Sequence, residues 1–298
     1  MPPSFPQYRC HVSPPHRSDR LASLPTWQAA IGCGATLFVV LPVLFLPETI
    51  AESLPTTDSA QATILAGLIG TVGAIGGFIV FARCLGISPK SMFLRWPSRQ
   101  VLGAAGMMLA LITALVIGTI LLVPGEFILH GDTWQGIFRA LVVAGAIGLW
   151  TGTIEELFLR GAILSIIGNQ WNWFGAVIVT AILFGLLHTG AGTTDLHTTM
   201  YVILTTLAGV LFGLVTVLTG NVWNAVAMHA TWNAVFSGYL LTLAPTTDTV
   251  PLLWYRLTDS HWLVTPVRAS VTESPLAIAL FTIALIASLT YVSIPSSQ

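Results

Sequence analysis

The 298-residue sequence predicts an all-α fold, a polytopic transmembrane bundle of about eight helices. Hydrophobic residues make up 54% of the chain, and Asp, Glu, Lys and Arg together only 8%. An ordinary soluble domain carries about 25% charged residues. Eleven basic and 12 acidic side chains cannot keep a folded surface of this size wet. A soluble globular enzyme is therefore excluded, and so is a disordered chain, which would be polar and highly charged. Apolar runs recur along the sequence, most of them long enough to cross a ~30 Å hydrocarbon core as helices. The ten-residue alternation of a transmembrane barrel is absent.

Residues 1–26, rich in Pro, Ser and Arg, form a polar tail ahead of a single transmembrane domain at 27–298. The apolar runs fall near 27–47, 60–82, 101–123, 135–167, 174–189, 198–219, 222–243 and 275–294. The first begins too far from the N-terminus for a cleavable leader and reads as a retained span. The run 135–167 is about 48 Å long at 1.5 Å per residue, so it must tilt, bend near Gly145, Gly148 or Gly152, or run past the lipid. The run 174–189 is short. The segment near 244–274 is polar and aromatic and reads as an outer-surface loop. Gly67, Gly70, Gly73, Gly76 and Gly77 mark a small-residue face suited to close helix packing. Trp27, Trp134, Trp171, Trp173 and Trp223 flank spans as interface anchors.

Basic residues orient the bundle. With the N-terminus in the cytoplasm, Arg9, Arg17, Arg20, Arg83, Lys90, Arg95 and Arg99 lie inside, against Arg139, Arg256 and Arg268 outside. This asymmetry places both termini in the cytoplasm of a multi-pass protein of the cell membrane. Membrane lipid is the surrounding partner. A net charge of −1 with no basic run leaves nothing to hold nucleic acid. Cys10, Cys33 and Cys84 are scattered and odd in number, and form neither a disulfide framework nor a metal clasp.

An ionisable residue at membrane depth costs roughly 2.5–3.5 kcal/mol on insertion scales and marks a functional candidate. Three clusters qualify: Glu155, Glu156 and Arg160; Phe184 with His188; and His229 with Asn233. Glu156 and Arg160 are i and i+4 on a helix, so they can pair and brace the bundle. Glu155 lies about 100° around the helix from Glu156. It is left without its own cation, the condition of a general base. A plain structural ion pair with a spare acid reads equally well from these residues alone. His188 and the His229–Asn233 pair could each serve as helix-bonding residues, and the pair could also hold a metal or donate to an oxyanion.

Depth draws the clusters together. Counted from the turns at Asn169–Asn172 and Gly220–Asn221, Glu155 lies at ~20 Å and His188 at ~24 Å; His229 and Asn233 lie at ~12 and ~18 Å. Four polar groups from three helices thus share one layer.

EExxxR, then FxxxH, then HxxxN, on successive hydrophobic segments of about 134–240, resembles the CPBP family of intramembrane proteases. That family includes type II CAAX prenyl endopeptidases and relatives linked to bacteriocin processing and self-immunity. The resemblance implies an eight-helix bundle that hydrolyses a peptide bond in a peptide or lipidated-peptide substrate. Glu155 and His188 would activate water, His229 and Asn233 would stabilise the oxyanion, and Glu156, Arg160 and Phe184 would support the site. In a metal-dependent version, Glu155, His188 and His229 would form a His₂Glu set for zinc or another divalent ion. No HExxH helix is present. No carboxylate placed to orient the histidines is evident, which favours the metal-free version. A non-enzymatic scaffold or immunity protein, or a proton-coupled transporter using Glu155 and the histidines as a relay, would use the same residues. The transporter predicts an internal repeat, which the sequence lacks.

Overall fold

The computed structural model describes residues 58–131, 133–191, 195–266 and 271–293, with single positions between 21 and 34. The predicted span at 27–47, most of the polar tail and the C-terminal residues 294–298 lie outside the described residues. Within them, the remaining predicted segments are helical. Helix α1 is Ser59–Cys84, with Asp58 capping its N-terminus, and α2 is Gln100–Leu122. Helix α3, Trp134–Glu156, continues through a π-helical segment, Leu157–Ile163, into α4, Leu164–Gln170. Then follow α5 (Trp173–Leu186), α6 (Asp195–Thr219), α7 (Trp223–Val235) and α8 (Pro275–Ser293).

Ser59–Cys84, Gln100–Leu122, Trp134–Gln170 and Asp195–Thr219 are long and apolar enough to cross a membrane. Their outward faces carry exposed aliphatic residues such as Val72, Leu102 and Leu121, as lipid-facing helices require. The chain is a multi-pass membrane protein.

The fold is mostly helical, and the all-α expectation needs one correction. Strands β1 (Gly125–Leu129), β2 (Leu241–Ala244) and β3 (Leu253–Leu257) form a three-stranded sheet in the order β1-β3-β2. β1 pairs antiparallel with β3, placing Phe127 opposite Tyr255; β2 pairs parallel with β3, placing Leu243 opposite the same tyrosine. The predicted loop near 244–274 therefore contributes a strand, anchored where the Tyr255 hydroxyl donates to the Val123 carbonyl. The predicted span at 222–243 is also shorter than expected. Helix α7 stops at Val235, the Gly238 amide donates to the Asn233 carbonyl, and Tyr239 takes a left-handed φ of 58° that turns the chain into β2.

The long rod from Trp134 to Gln170 measures roughly 55 Å at 1.5 Å per residue. Its departure from α geometry falls at Leu157–Ile163, not at the glycines. Gly148 and Gly152 serve another purpose. A Cβ on Gly148 would lie 2.3 Å from the Ala230 carbonyl oxygen, and one on Gly152 would lie 2.9 Å from the Ala230 amide nitrogen. Their missing side chains let α7 press against α3. Gly148→Ala is expected to cost about 1–3 kcal/mol, because the clash is with backbone that cannot step aside. Gly145→Ala, which meets nothing within 4 Å among the described residues, is the matched control. Thermal unfolding of both variants in nanodiscs checks this; equal midpoints would show that α3 and α7 tolerate separation.

The glycine face of α1 is only partly used for packing. Gly67 lies against Ala146 and Gly70 against the Trp150 ring, whereas Gly73, Gly76 and Gly77 meet nothing within 4 Å among the described residues. Trp134 and Trp171 are exposed at helix ends as expected, while Trp173 also packs edge-on against Phe93. Among the described cysteines, Cys84 is free and exposed.

Contacts sort the helix ends into two groups. At one end, Gln170 donates to the carbonyls of Leu21 and Leu24, and Asn221 donates to that of Trp96. At the other, Asp58 pairs with Arg139 and Glu126 with Arg256, alongside the sheet.

Candidate active site

The end of α3 presents Thr151, Glu155 and Glu156 on the side facing α7. Glu156 and Arg160 are both buried completely, and Arg160 Nη1 donates to Glu156 Oε1 at 3.0 Å. Charges so deep survive only when paired and hydrogen-bonded. Arg160 Nη2 also donates to the Gly209 carbonyl of α6 at 3.2 Å. Gly209 is needed there, since a Cβ would sit 3.1 Å from Nη2 and 2.9 Å from the Ala181 Cα. Phe184 lies 4.5 Å from the guanidinium carbon, a cation–π contact that covers the ion pair. Glu156, Arg160 and Phe184 thus form one buried cluster.

Glu156 has a second task that local spacing could not reveal. Its Oε1 also accepts from His229 Nδ1 at 2.8 Å, across 73 residues of sequence. The carboxylate missing from the sequence reading is therefore present, and the preference for metal-free chemistry on that ground is withdrawn. This hydrogen bond directs the proton of one imidazole nitrogen and leaves Nε2 facing the reacting side. The His229 ring is also stacked on Phe212 at 5.3 Å and meets the edge of Phe184 at 5.6 Å.

Glu155 stands apart from that cluster. Its Oε2 lies 3.9 Å from His229 Nε2, beyond hydrogen-bond reach, and its side chain keeps 15% exposure while that of Glu156 has none. The two neighbouring acids thus differ as the helical geometry predicts: one consumed by cations and donors, the other open.

His188 lies just beyond α5. Its Nδ1 donates to the Phe184 carbonyl at 2.7 Å, and its ring packs edge-on against Phe184 at 4.7 Å and Tyr201 at 5.4 Å. Since a carbonyl can only accept, the Nδ1 proton is fixed and Nε2 is the nitrogen left for chemistry. Asn233 Nδ2 donates to Thr151 Oγ1 at 2.8 Å, which holds the amide against α3 and leaves its second N–H.

Helices α5 and α7 are only 14 and 13 residues long. At ~20 Å each they stop within the hydrocarbon thickness. Beyond their ends lies a cavity of about 230 Å³, lined by His188, Tyr201, Phe212, His229, Asn233 and Glu273 among others. His188, His229 and Asn233 thus share one chamber, with Glu155 beside His229. Sequence reasoning missed Thr151, Tyr201, Gly209 and Phe212. The signal for Tyr201 was its place as a polar aromatic within an apolar run; Thr151 precedes Glu155 by one helical turn.

The conditional zinc set does not close. Among the described residues, no three His, Cys, Asp or Glu side chains are grouped so as to hold a metal ion. Glu155 and His229 approach one another at 3.9 Å.

No curated protein matches the chain. The stretch that carries the motif residues, 137–235, about a third of the chain, matches the family model described as Type II CAAX prenyl endopeptidase Rce1-like.

Proposed function

We propose that the protein is an intramembrane endopeptidase that cleaves an apolar, membrane-associated peptide by direct attack of water. The observation that carries this reading is the contrast between the acids. Glu156 is fully buried with its Oε1 shared by Arg160 and His229, while Glu155 keeps a partly exposed carboxyl beside a histidine-lined cavity. In this reading Glu155 removes a proton from water as the oxygen attacks the scissile carbonyl carbon. His188 Nε2 holds that water, because its Nδ1 is committed to the Phe184 carbonyl. The carbonyl oxygen becomes an oxyanion and receives the second N–H of Asn233 and, from protonated His229, the Nε2–H. Donors aimed at such an oxyanion contribute ~2.7–4 kcal/mol each. Collapse breaks the C–N bond, and Glu155 passes its proton to the leaving amine. The new carboxylic acid then yields its proton to the amine, so the products are one carboxylate and one ammonium group, with one water consumed.

The same proposal sets the N-terminus in the cytoplasm, with the end carrying Leu21, Trp96 and Asn221 inside and the sheet outside. The basic residues Arg83, Lys90, Arg95 and Arg99 between α1 and α2 support this orientation.

The test uses purified full-length protein in nanodiscs and internally quenched apolar peptides, with the fragments identified by mass. Two fragments whose masses sum to the peptide plus one water are expected. Peptides recovered intact across a broad panel would reject the activity in favour of a scaffold. The same reaction with EDTA or 1,10-phenanthroline is expected to run at an unchanged rate. Loss of rate that added zinc restores would overturn the metal-free mechanism.

A further inference from the structure

The cavity has a second polar wall, remote in sequence from the motif residues. It is formed by Thr272 and Glu273 in the 3₁₀ turn Val271–Glu273 ahead of α8, and by Leu241 and Thr242 of β2. Glu273 Oε1 accepts from the Thr272 hydroxyl at 2.8 Å. Its Oε2 is shielded from solvent and forms an ion pair with His197 Nε2 at 3.6 Å. Burial pushes the Glu273 carboxyl above its ordinary range, opposed by the Thr272 hydroxyl and by His197.

The charges around this chamber are one-sided. Among the described lining residues there is no lysine or arginine; Glu273 is the acid, and His188 and His229 are the imidazoles. Glu155 lies just behind His229, and Arg160 is consumed by Glu156 and covered by Phe184. A substrate carboxylate entering here would face Glu273, with no guanidinium or ammonium among the described lining residues to oppose it. A cationic group would instead join His197 as a second partner for the Glu273 carboxylate, which burial makes valuable. The rest of the wall, Leu204, Phe212, Trp232, Phe236 and Phe281, suits apolar side chains.

We propose that Glu273 is a specificity-determining residue that receives a basic side chain carried on the apolar peptide segment occupying this cavity. This rests on the peptidase reading for its consequence but not for its measurement, since binding alone reports it.

The probes are fluorescent leucine-rich peptides identical but for one residue, Lys, Gln or Glu, stepped along the peptide. Binding is measured to the full-length Glu155→Gln protein in phosphatidylcholine nanodiscs, whose zwitterionic lipid contributes no net charge. Cleavage is measured with the wild-type protein. At one position of the series the Lys peptide is expected to bind at least ~10-fold more tightly than the Glu peptide, the low end for one close charge pair. Adding Glu273→Gln is expected to remove that ranking, and Glu273→Lys to invert it. Equal affinities at every position, or a ranking that survives Glu273→Gln, would overturn the assignment. If the Glu273 variants fail to fold, the ranking in the Glu273-intact protein decides alone. Cleavage without charge preference defeats this inference and leaves the peptidase standing; a Lys preference in binding with no cleavage of any peptide does the reverse.

Discussion

Replacing Glu155 by Gln is expected to lower kcat/KM by about 10²–10⁴-fold, the usual contribution of a positioned general base. Gln keeps the shape of the side chain and its place beside His229 but cannot accept a proton from water. Folding should be unaffected, because Glu155 has no charged partner within hydrogen-bond distance: its nearest, His229 Nε2, is 3.9 Å away. The measurement is the hydrolysis rate of a quenched apolar peptide, paired with the unfolding midpoint of the same preparation. A midpoint equal to wild type with activity lost is the expected pair of results. A variant that keeps more than about a tenth of the wild-type rate would remove Glu155 from the chemistry. The residual rate in Glu155→Gln should still exceed that of the peptide alone, since the donors on Asn233 and His229 remain.

The neighbouring substitution should act on the fold. Glu156→Ala is expected to destabilise the protein by about 3–5 kcal/mol, the cost of leaving a buried charge without its partner. Arg160, wholly buried, would keep only the Gly209 carbonyl and the Phe184 face, and His229 would lose the acceptor that orients it. Denaturant or thermal unfolding in detergent reads this directly. Glu156→Gln should fall between, because an amide oxygen can still accept from His229 while the charge that answers Arg160 is gone. A fully stable Glu156→Ala protein would mean that the buried guanidinium finds water or another acceptor, and that the two acids are not divided into brace and base.

These opposite expectations for adjacent residues rest on one turn of helix. That part was legible from spacing, because i and i+4 residues on a helix meet whatever surrounds them. The same is true of Phe184 below His188. His229 and Asn233 also share a face, but tertiary packing aims their hydrogen bonds at two different residues of α3, Glu156 and Thr151.

Other features depend on how closely helices approach. The bridge from Glu156 to His229 exists because α7 settles onto the bare backbone at Gly148 and Gly152. Hydropathy sees only that both segments are apolar. The sheet was hidden for a related reason. Its strands are four or five residues long. They interrupt polar and aromatic sequence, and pairing among them is set by long-range contacts such as Tyr255 to Val123. The cavity was illegible because it is the space left where α5 and α7 stop short, and an absence of atoms has no residue to announce it.

The sequence by itself determined that this chain is a multi-pass membrane protein, which acids and histidines lie within its apolar segments, and which acid is paired with Arg160; all of these follow from composition and local helical geometry. Only the tertiary structure decided that Glu156 also orients His229, that Tyr201 and Phe212 wall the chamber, and that Glu273 reaches it from the far end of the chain. Those relations span tens of residues and are created by packing, whose outcome depends on the shapes of all the helices at once.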